Sequence, residues 1–175
     1  FQKLSTSNDL NFTFHIICSV KDFKYYEEFL KQYKKLIHAK KVIFYPDCSD
    51  EVKEHILVKS DYYIHATGIR NVKGTRPSEE EHFGISLIES LSRNCIPIVA
   101  NRGFPPYLVT HNKNGYVFDT IDELQNIIHD LLSEKRTITK TINRTDVHKK
   151  NSMIANQYGD ILFYKSNFLR VLFNA

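Results

Sequence analysis

The sequence predicts a doubly wound α/β domain, a parallel sheet covered by helices on both faces. Strand-like and helix-like segments alternate five times along the chain, and the links between them are mostly short. With 175 residues, 42% of them hydrophobic, the chain is long enough to bury one core of ordinary size.

Leu10 to Val20 reads as the first strand: Leu10, Phe12, Phe14 and Ile16 alternate, and Ile17 fills the other face. A helix is expected over Phe23 to Ile37. Tyr26, Phe29, Leu30, Tyr33, Leu36 and Ile37 fall there at helical spacing, with Lys and Glu opposite. Val42 to Phe44 is a short buried strand ended by Pro46. Ser49 caps a helix to about Lys59, whose first turn holds Asp50 and Glu51. Tyr62 to Ala66 is the next strand. Thr67 to Glu80 is polar, holds two glycines and one proline, and reads as a long surface loop.

A helix then runs from near Gly84 to about Arg93, and Ile96 to Ala100 is a buried strand. Tyr116 to Phe118 forms another strand after the turn at Asn114-Gly115. Thr120 and Glu123 make a capping box for a helix carrying Leu124, Ile127, Ile128 and Leu131. Lys135 to Lys150 is polar and reads as loop. Asn151 to Phe173 reads as a helix anchored by Phe163, Phe168, Leu169 and Leu172. The expected layout is a single domain over 1–175, with its core in about 10–134 and a helical segment at 151–173.

Composition removes several function classes. The net charge of +4 is mild and forms no dense basic stripe, which argues against nucleic acid as a partner. Cys18, Cys48 and Cys95 are odd in number, far apart and without a CxxC pair. They read as reduced thiols in a cytoplasmic protein. The eight His are dispersed, with no metal-ligand spacing. The apolar runs are too short to span a bilayer, and nothing in the pattern supports membrane association.

The segment with chemical content is Glu81-His82-Phe83-Gly84-Ile85-Ser86-Leu87-Ile88-Glu89, which follows a strand and a loop and opens a helix. Backbone N–H groups near Gly84 and Ile85 lack intrahelical partners, and the helix dipole adds positive potential, so the helix start suits a diphosphate. Gly84 allows a ligand close to the backbone. Glu81 lies just outside the helix, and Glu89 lies about a turn and a half inside it. A carboxylate there can accept hydrogen bonds from both hydroxyls of a ribose. Spacing alone does not assign these roles, since acidic residues are common in first turns.

Glu81 to Glu89 resembles the E-x7-E motif of retaining glycosyltransferases of the GT-B fold, in particular the GT4-like group 1 family. The resemblance continues in order through Asn94 to Ala100, Gly103 to Val109 and Asn114 to Phe118. Upstream it takes in Val42-Ile43-Phe44 before Ser49-Asp50, and the strand ending His65-Ala66-Thr67. The ordered series covers nearly the whole chain from Leu10 and is far more specific than any one motif.

The resemblance implies a nucleotide-sugar-binding domain that is half of a GT-B fold. Its expected donor is an NDP-sugar, UDP- or GDP-linked, with no further cofactor and no metal. Glu81 is then the catalytic-site residue that meets the donor sugar's hydroxyls, and Glu89 holds the ribose. The backbone at Phe83, Gly84 and Ile85 faces the sugar and diphosphate. Ser19, Cys48 and His65 complete the expected donor-binding set. His65 ends a strand at the ligand edge, where a satisfied structural histidine is the favoured explanation. The acceptor, carbohydrate, lipid or protein, is expected on an absent N-terminal domain, which leaves the isolated chain inactive.

Three features depart from the family pattern. By the resemblance the sequence is expected to start after the family's first strand and after the Arg and Lys that neutralise the diphosphate, with Phe1 to Leu4 resembling the end of the first helix; Arg70, Arg93 and Arg102 are the available substitutes. Cys18-Ser19-Val20-Lys21-Asp22 lacks the glycines usual at that loop. Gly103-Phe104-Pro105-Pro106-Tyr107 carries Phe and Tyr where the family has Gly and Glu. A GT-B-fold nucleotide-sugar epimerase, or a binding or interaction module without catalysis, is the alternative these departures leave open.

Overall fold

The computed structural model describes residues 12–70, 78, 80–133 and 145–158. Their contacts divide the chain into two compact units, one of residues 1–59 with 132–134, the other of residues 60–131 with 135–175. Every paired strand is parallel, and helices separate the strands along the chain, as the α/β reading predicts.

In the first unit β1 (Phe14–Cys18) pairs with β2 (Val42–Pro46), in the register Phe14↔Val42 through Cys18↔Pro46. The strand expected from Leu10 begins at Phe14; residues 10 and 11 lie outside the described set. Asp22, in extended conformation, caps α1 (Phe23–Gln32) by accepting from the Tyr25 N–H at 3.0 Å. The helix expected to reach Ile37 is interrupted at Tyr33, whose φ of −102° and ψ of 12° leave the helical well, and α2 (Lys34–His38) follows as one further turn. The aromatic stripe of α1 meets β2: Phe29 and Phe44 pack edge to face with ring centres 5.3 Å apart. α3 (Asp50–Lys59) starts at Ser49, whose Oγ accepts from the Val52 N–H at 3.4 Å.

The second unit orders its strands β3 (Tyr62–His65), β4 (Ile96–Ala100) and β5 (Tyr116–Phe118). β4 is central and buried along its whole length, which explains its unbroken apolar run. Its side chains alternate between two clusters. Val99 packs with Leu87, Ile88 and Leu91 of α4 (Ile85–Ser92), and with Leu108 at the end of the short helix α5 (Pro105–Leu108). Ile96, Ile98 and Ala100 pack with Tyr116 and Phe118, and against Leu124, Ile127 and Leu131 of α6 (Ile121–Leu132). Each fully buried aliphatic side chain is worth about 1.5–3 kcal/mol. Helices thus cover both faces of β4, the doubly wound arrangement. Thr120 caps the helix as expected, with the Glu123 N–H donating to its Oγ1 at 3.1 Å, but the Glu123 carboxylate reaches back to the Asp119 N–H at 2.7 Å, one residue before the cap.

Residues 145–158 form α7. The loop expected over Lys135 to Lys150 therefore gives way to helix by residue 145. Val147, wholly buried, anchors this turn in the β4–β5 cluster, and Ala155 joins the α4 cluster. One apolar residue among polar neighbours is too weak a periodicity to read in sequence, yet it suffices once the sheet offers it a socket. The remainder of the helix expected through Phe173 lies outside the described residues.

Candidate functional site

The site is built where β3 ends and α4 begins. Gly84 is the N-cap of α4, with φ 71° and ψ 52° in the left-handed region, and no side chain caps the helix. The N–H groups of the first turn, Ile85 to Leu87, therefore lack intrahelical acceptors, and Leu87 itself is buried. Ile85 and Ser86 are exposed, so the turn opens to solvent.

Glu81 arranges the approach to this turn. Its Oε1 accepts from the backbone N–H of Gly84 at 2.8 Å and of Phe83 at 3.1 Å. Its Oε2 lies 3.3 Å from His65 Nε2, at the end of β3. Burial raises the Glu81 pKa, but the Gly84 and Phe83 N–H groups, with His65 behind them, outweigh it and hold the carboxyl below its ordinary value. Burial lowers His65, and Glu81 only partly offsets this, so the imidazole is neutral near pH 7. The contact is then a hydrogen bond, and Coulomb attraction adds to it only once His65 takes a proton. A carboxylate offers about four acceptor directions. Three are used here, which leaves one for a hydroxyl.

The turn after β4 supports this arrangement. The Phe104 N–H donates to the Glu81 carbonyl at 2.8 Å, and the Gly103 N–H donates to Glu80 Oε2 at 2.9 Å. Gly103 has φ 59°, and any Cβ there would run into the Glu81 carbonyl oxygen. Phe104 stacks on Phe83, with ring centres 5.8 Å apart and planes 10° from parallel, and packs edge-on to Tyr158. It is a packed aromatic beneath the Glu81 loop. On the other side the Tyr63 hydroxyl donates to Ser86 Oγ at 2.7 Å. Burial raises the Tyr63 pKa, partly opposed by Ser86, and the charges of Glu81 and Glu89 raise it further, so both carboxylates act on this hydroxyl.

The second unit therefore brings His65, Glu81, Phe83 and Gly84 into direct contact, with Ile85 next in the chain. The Phe83 and Gly84 N–H groups are engaged by Glu81, whereas Ile85 opens the uncapped turn. Glu89 is half-buried further along α4. Ser19 and Cys48 belong to the first unit, at the ends of β1 and β2. There Asp47 Oδ1 accepts from the Ser19 hydroxyl at 3.1 Å and the Val20 N–H at 3.3 Å. Of the candidate arginines, Arg102 is committed to Asp119 at 3.2 Å and to the Asn101 carbonyl, Arg93 donates to Ser92 Oγ, and Arg70 is exposed. Glu80 and Tyr63 escaped the sequence reading, because their partners, Gly103 and Ser86, lie 23 residues away.

A parallel sheet with helices on both faces and an open helix start at the carboxyl end of a strand defines the Rossmann-like α/β class. The family model for group 1 glycosyl transferases matches residues 1–148, and the chain belongs to that family. Over 85 residues it is 31% identical to a Dictyostelium discoideum protein named GDP-Man:Man(3)GlcNAc(2)-PP-Dol alpha-1,2-mannosyltransferase; the match spans 48% of this chain and 17% of that one. Anabaena Alr3699/HepE, solved in complex with UDP-glucose, has the same fold, with TM-score 0.60 and 18% identity over 99% of this chain and 51% of that one. A glycosyltransferase from Rickettsia africae aligns with TM-score 0.54 and 16% identity over 93% of this chain and 42% of its own. The chain thus spans about half the length, or less, of these relatives. The fold is that of a GT-B glycosyltransferase domain.

Proposed function

We propose that the chain is the donor-binding domain of a retaining glycosyltransferase that takes a nucleotide sugar and transfers the sugar to an acceptor held by another domain. The observation that carries this reading is the uncapped start of α4 beside an ionised Glu81, in a chain of this family. The exposed N–H groups of Ile85 and Ser86 receive the diphosphate, and charge that builds on the leaving group meets fixed donors. Glu81, whose carboxylate would repel phosphate, uses its remaining acceptor direction for a hydroxyl of the donor sugar. Glu89 accepts from the ribose. No side chain is required as a nucleophile; the leaving diphosphate takes the acceptor's proton, and no metal takes part. The three free thiols suit a reducing, cytoplasmic setting.

HepE was solved with UDP-glucose, and the Dictyostelium relative is named for GDP-Man, so UDP and GDP are the nucleotides to try first. Calorimetric titration in chelator is expected to show saturable binding of one of them, weakened at least about tenfold in Glu89→Ala by loss of a charge-assisted hydrogen bond. The chain alone is expected to transfer no sugar. Absence of binding to any nucleoside diphosphate would overturn the reading. Unchanged affinity in Glu89→Ala would remove the ribose assignment.

A further inference from the structure

β3 reaches the start of α4 at two points. Tyr63 and His65 are two residues apart and so project from the same face of the strand; their rings lie 6.2 Å from each other. Tyr63 holds Ser86, inside the first turn of the helix. His65 holds Glu81, just before it. A carboxylate only accepts hydrogen bonds, so the imidazole nitrogen facing it carries the hydrogen, and a neutral His65 is the Nε2–H tautomer.

The two partners differ in access. The His65 side chain is 6% exposed and that of Glu81 is 28% exposed. A ligand at the helix start can meet Glu81, while His65 sits behind it. Without His65 the carboxylate would keep its two backbone donors on Oε1. Oε2 would be left to swing about them.

We infer that His65 is a positioning residue. Its Nε2–H fixes Oε2 of Glu81, so that the last acceptor direction of the carboxylate is presented to the donor sugar, and His65 itself touches no substrate. This rests on the reading of Glu81 as the acceptor of a sugar hydroxyl. It separates His65 both from a plain core histidine, which would matter only for stability, and from a ligand contact, which would act on the nucleotide directly. Glutamine at this position carries an N–H donor of similar reach. Leucine fills the space and donates nothing.

The test compares wild type, His65→Leu and His65→Gln. Affinities for UDP-glucose against UDP, and for GDP-mannose against GDP, are measured by calorimetry. The backbone amide resonances of Phe83 and Gly84 are followed by NMR without ligand. His65→Leu is expected to lose about tenfold of the preference for sugar nucleotide over bare nucleotide, with affinity for the bare nucleotide unchanged. Its Phe83 and Gly84 amides should shift as the carboxylate moves, and His65→Gln should restore most of both. A folded His65→Leu protein with the wild-type preference and unmoved amides would overturn the inference. If His65→Leu does not fold, His65→Asn, polar but too short to reach Glu81, takes its place with the same expectations. If wild type binds sugar nucleotide no tighter than bare nucleotide, the reading of Glu81 fails, and the amides alone decide on His65: moved and restored by Gln upholds positioning, unmoved refutes it.

Discussion

Gly84 and Gly103 both sit at positive φ, yet a methyl group would meet different surroundings at each. At Gly84 it would find ordinary contact with Leu87 and Glu81, so Gly84→Ala is expected to cost about 1–2 kcal/mol for the left-handed conformation alone. At Gly103 it would strike the Glu81 backbone, which must shift, and Gly103→Ala is expected to cost about 3 kcal/mol or more. Denaturant unfolding of the two variants checks this, and equal losses would contradict it. The titration of the His65–Glu81 pair has a definite sign. His65 folds with its pKa below 6.5, so the unfolded chain binds more protons there, and stability is lost as pH falls through 6.5 toward the folded value. Glu81 folds with its pKa below 4.5, so its contribution is present above 4.5 and is lost as pH falls through the folded value. Unfolding free energy measured from pH 7.5 to 4 should decline, with the upper part of the decline flattened in His65→Gln and the lower part in Glu81→Gln. The glutamates themselves were legible in the sequence through their likeness to the family motif. The clamp on Glu81 was not, because His65 precedes it by 16 residues and no local pattern links them.

Among the elements, α4, β4 and β5 were readable because each obeys a short-range rule: an apolar stripe, an unbroken buried run, a strand after an Asn-Gly turn. α7 was readable only in part, since its first described turn is polar apart from Val147. Beside the Val147 and Ala155 contacts, a buried polar pair holds α7. Asn114 donates to the Leu108 carbonyl at 3.0 Å and to Asn151 Oδ1 at 3.1 Å, while its own Oδ1 accepts from the Thr110 N–H at 2.7 Å. Both asparagines are wholly buried. Asn151→Leu leaves one buried N–H of Asn114 without its acceptor, so it is expected to cost about 2–3 kcal/mol and to speed hydrogen exchange across α7. Loss of less than about 0.5 kcal/mol, within the range of ordinary surface substitutions, would show that the pair does not anchor the helix.

For the whole molecule, ligand binding and stability are linked. A nucleotide that binds only the folded chain should raise the unfolding free energy by about 2.7 kcal/mol at one hundred times its Kd. A thermal shift with UDP or GDP that disappears in Glu89→Ala is the expected result. A shift of equal size in that variant would place the nucleotide away from Glu89. At this scale the fold class was legible in the sequence, because alternating elements with short links admit few topologies. The grouping of the contacts into two units was not, since it depends on which distant elements touch.

The sequence by itself determined the order of elements, the parallel α/β class, the helix opened by Gly84 between two glutamates, and the likeness to group 1 glycosyltransferases. Periodicity, capping and ordered motifs act over a few residues, so these features are written locally. Only the tertiary structure decided that Glu81 binds the backbone of its own helix start and His65 together, that Gly103 must be glycine to let the next turn reach Glu81, and that Arg102 is committed to Asp119. It also decided that Asn114 and Asn151 meet in the core. Apart from the bonds of Glu81 to Phe83 and Gly84, these contacts join residues between 16 and 37 positions apart, or depend on space that only packing defines.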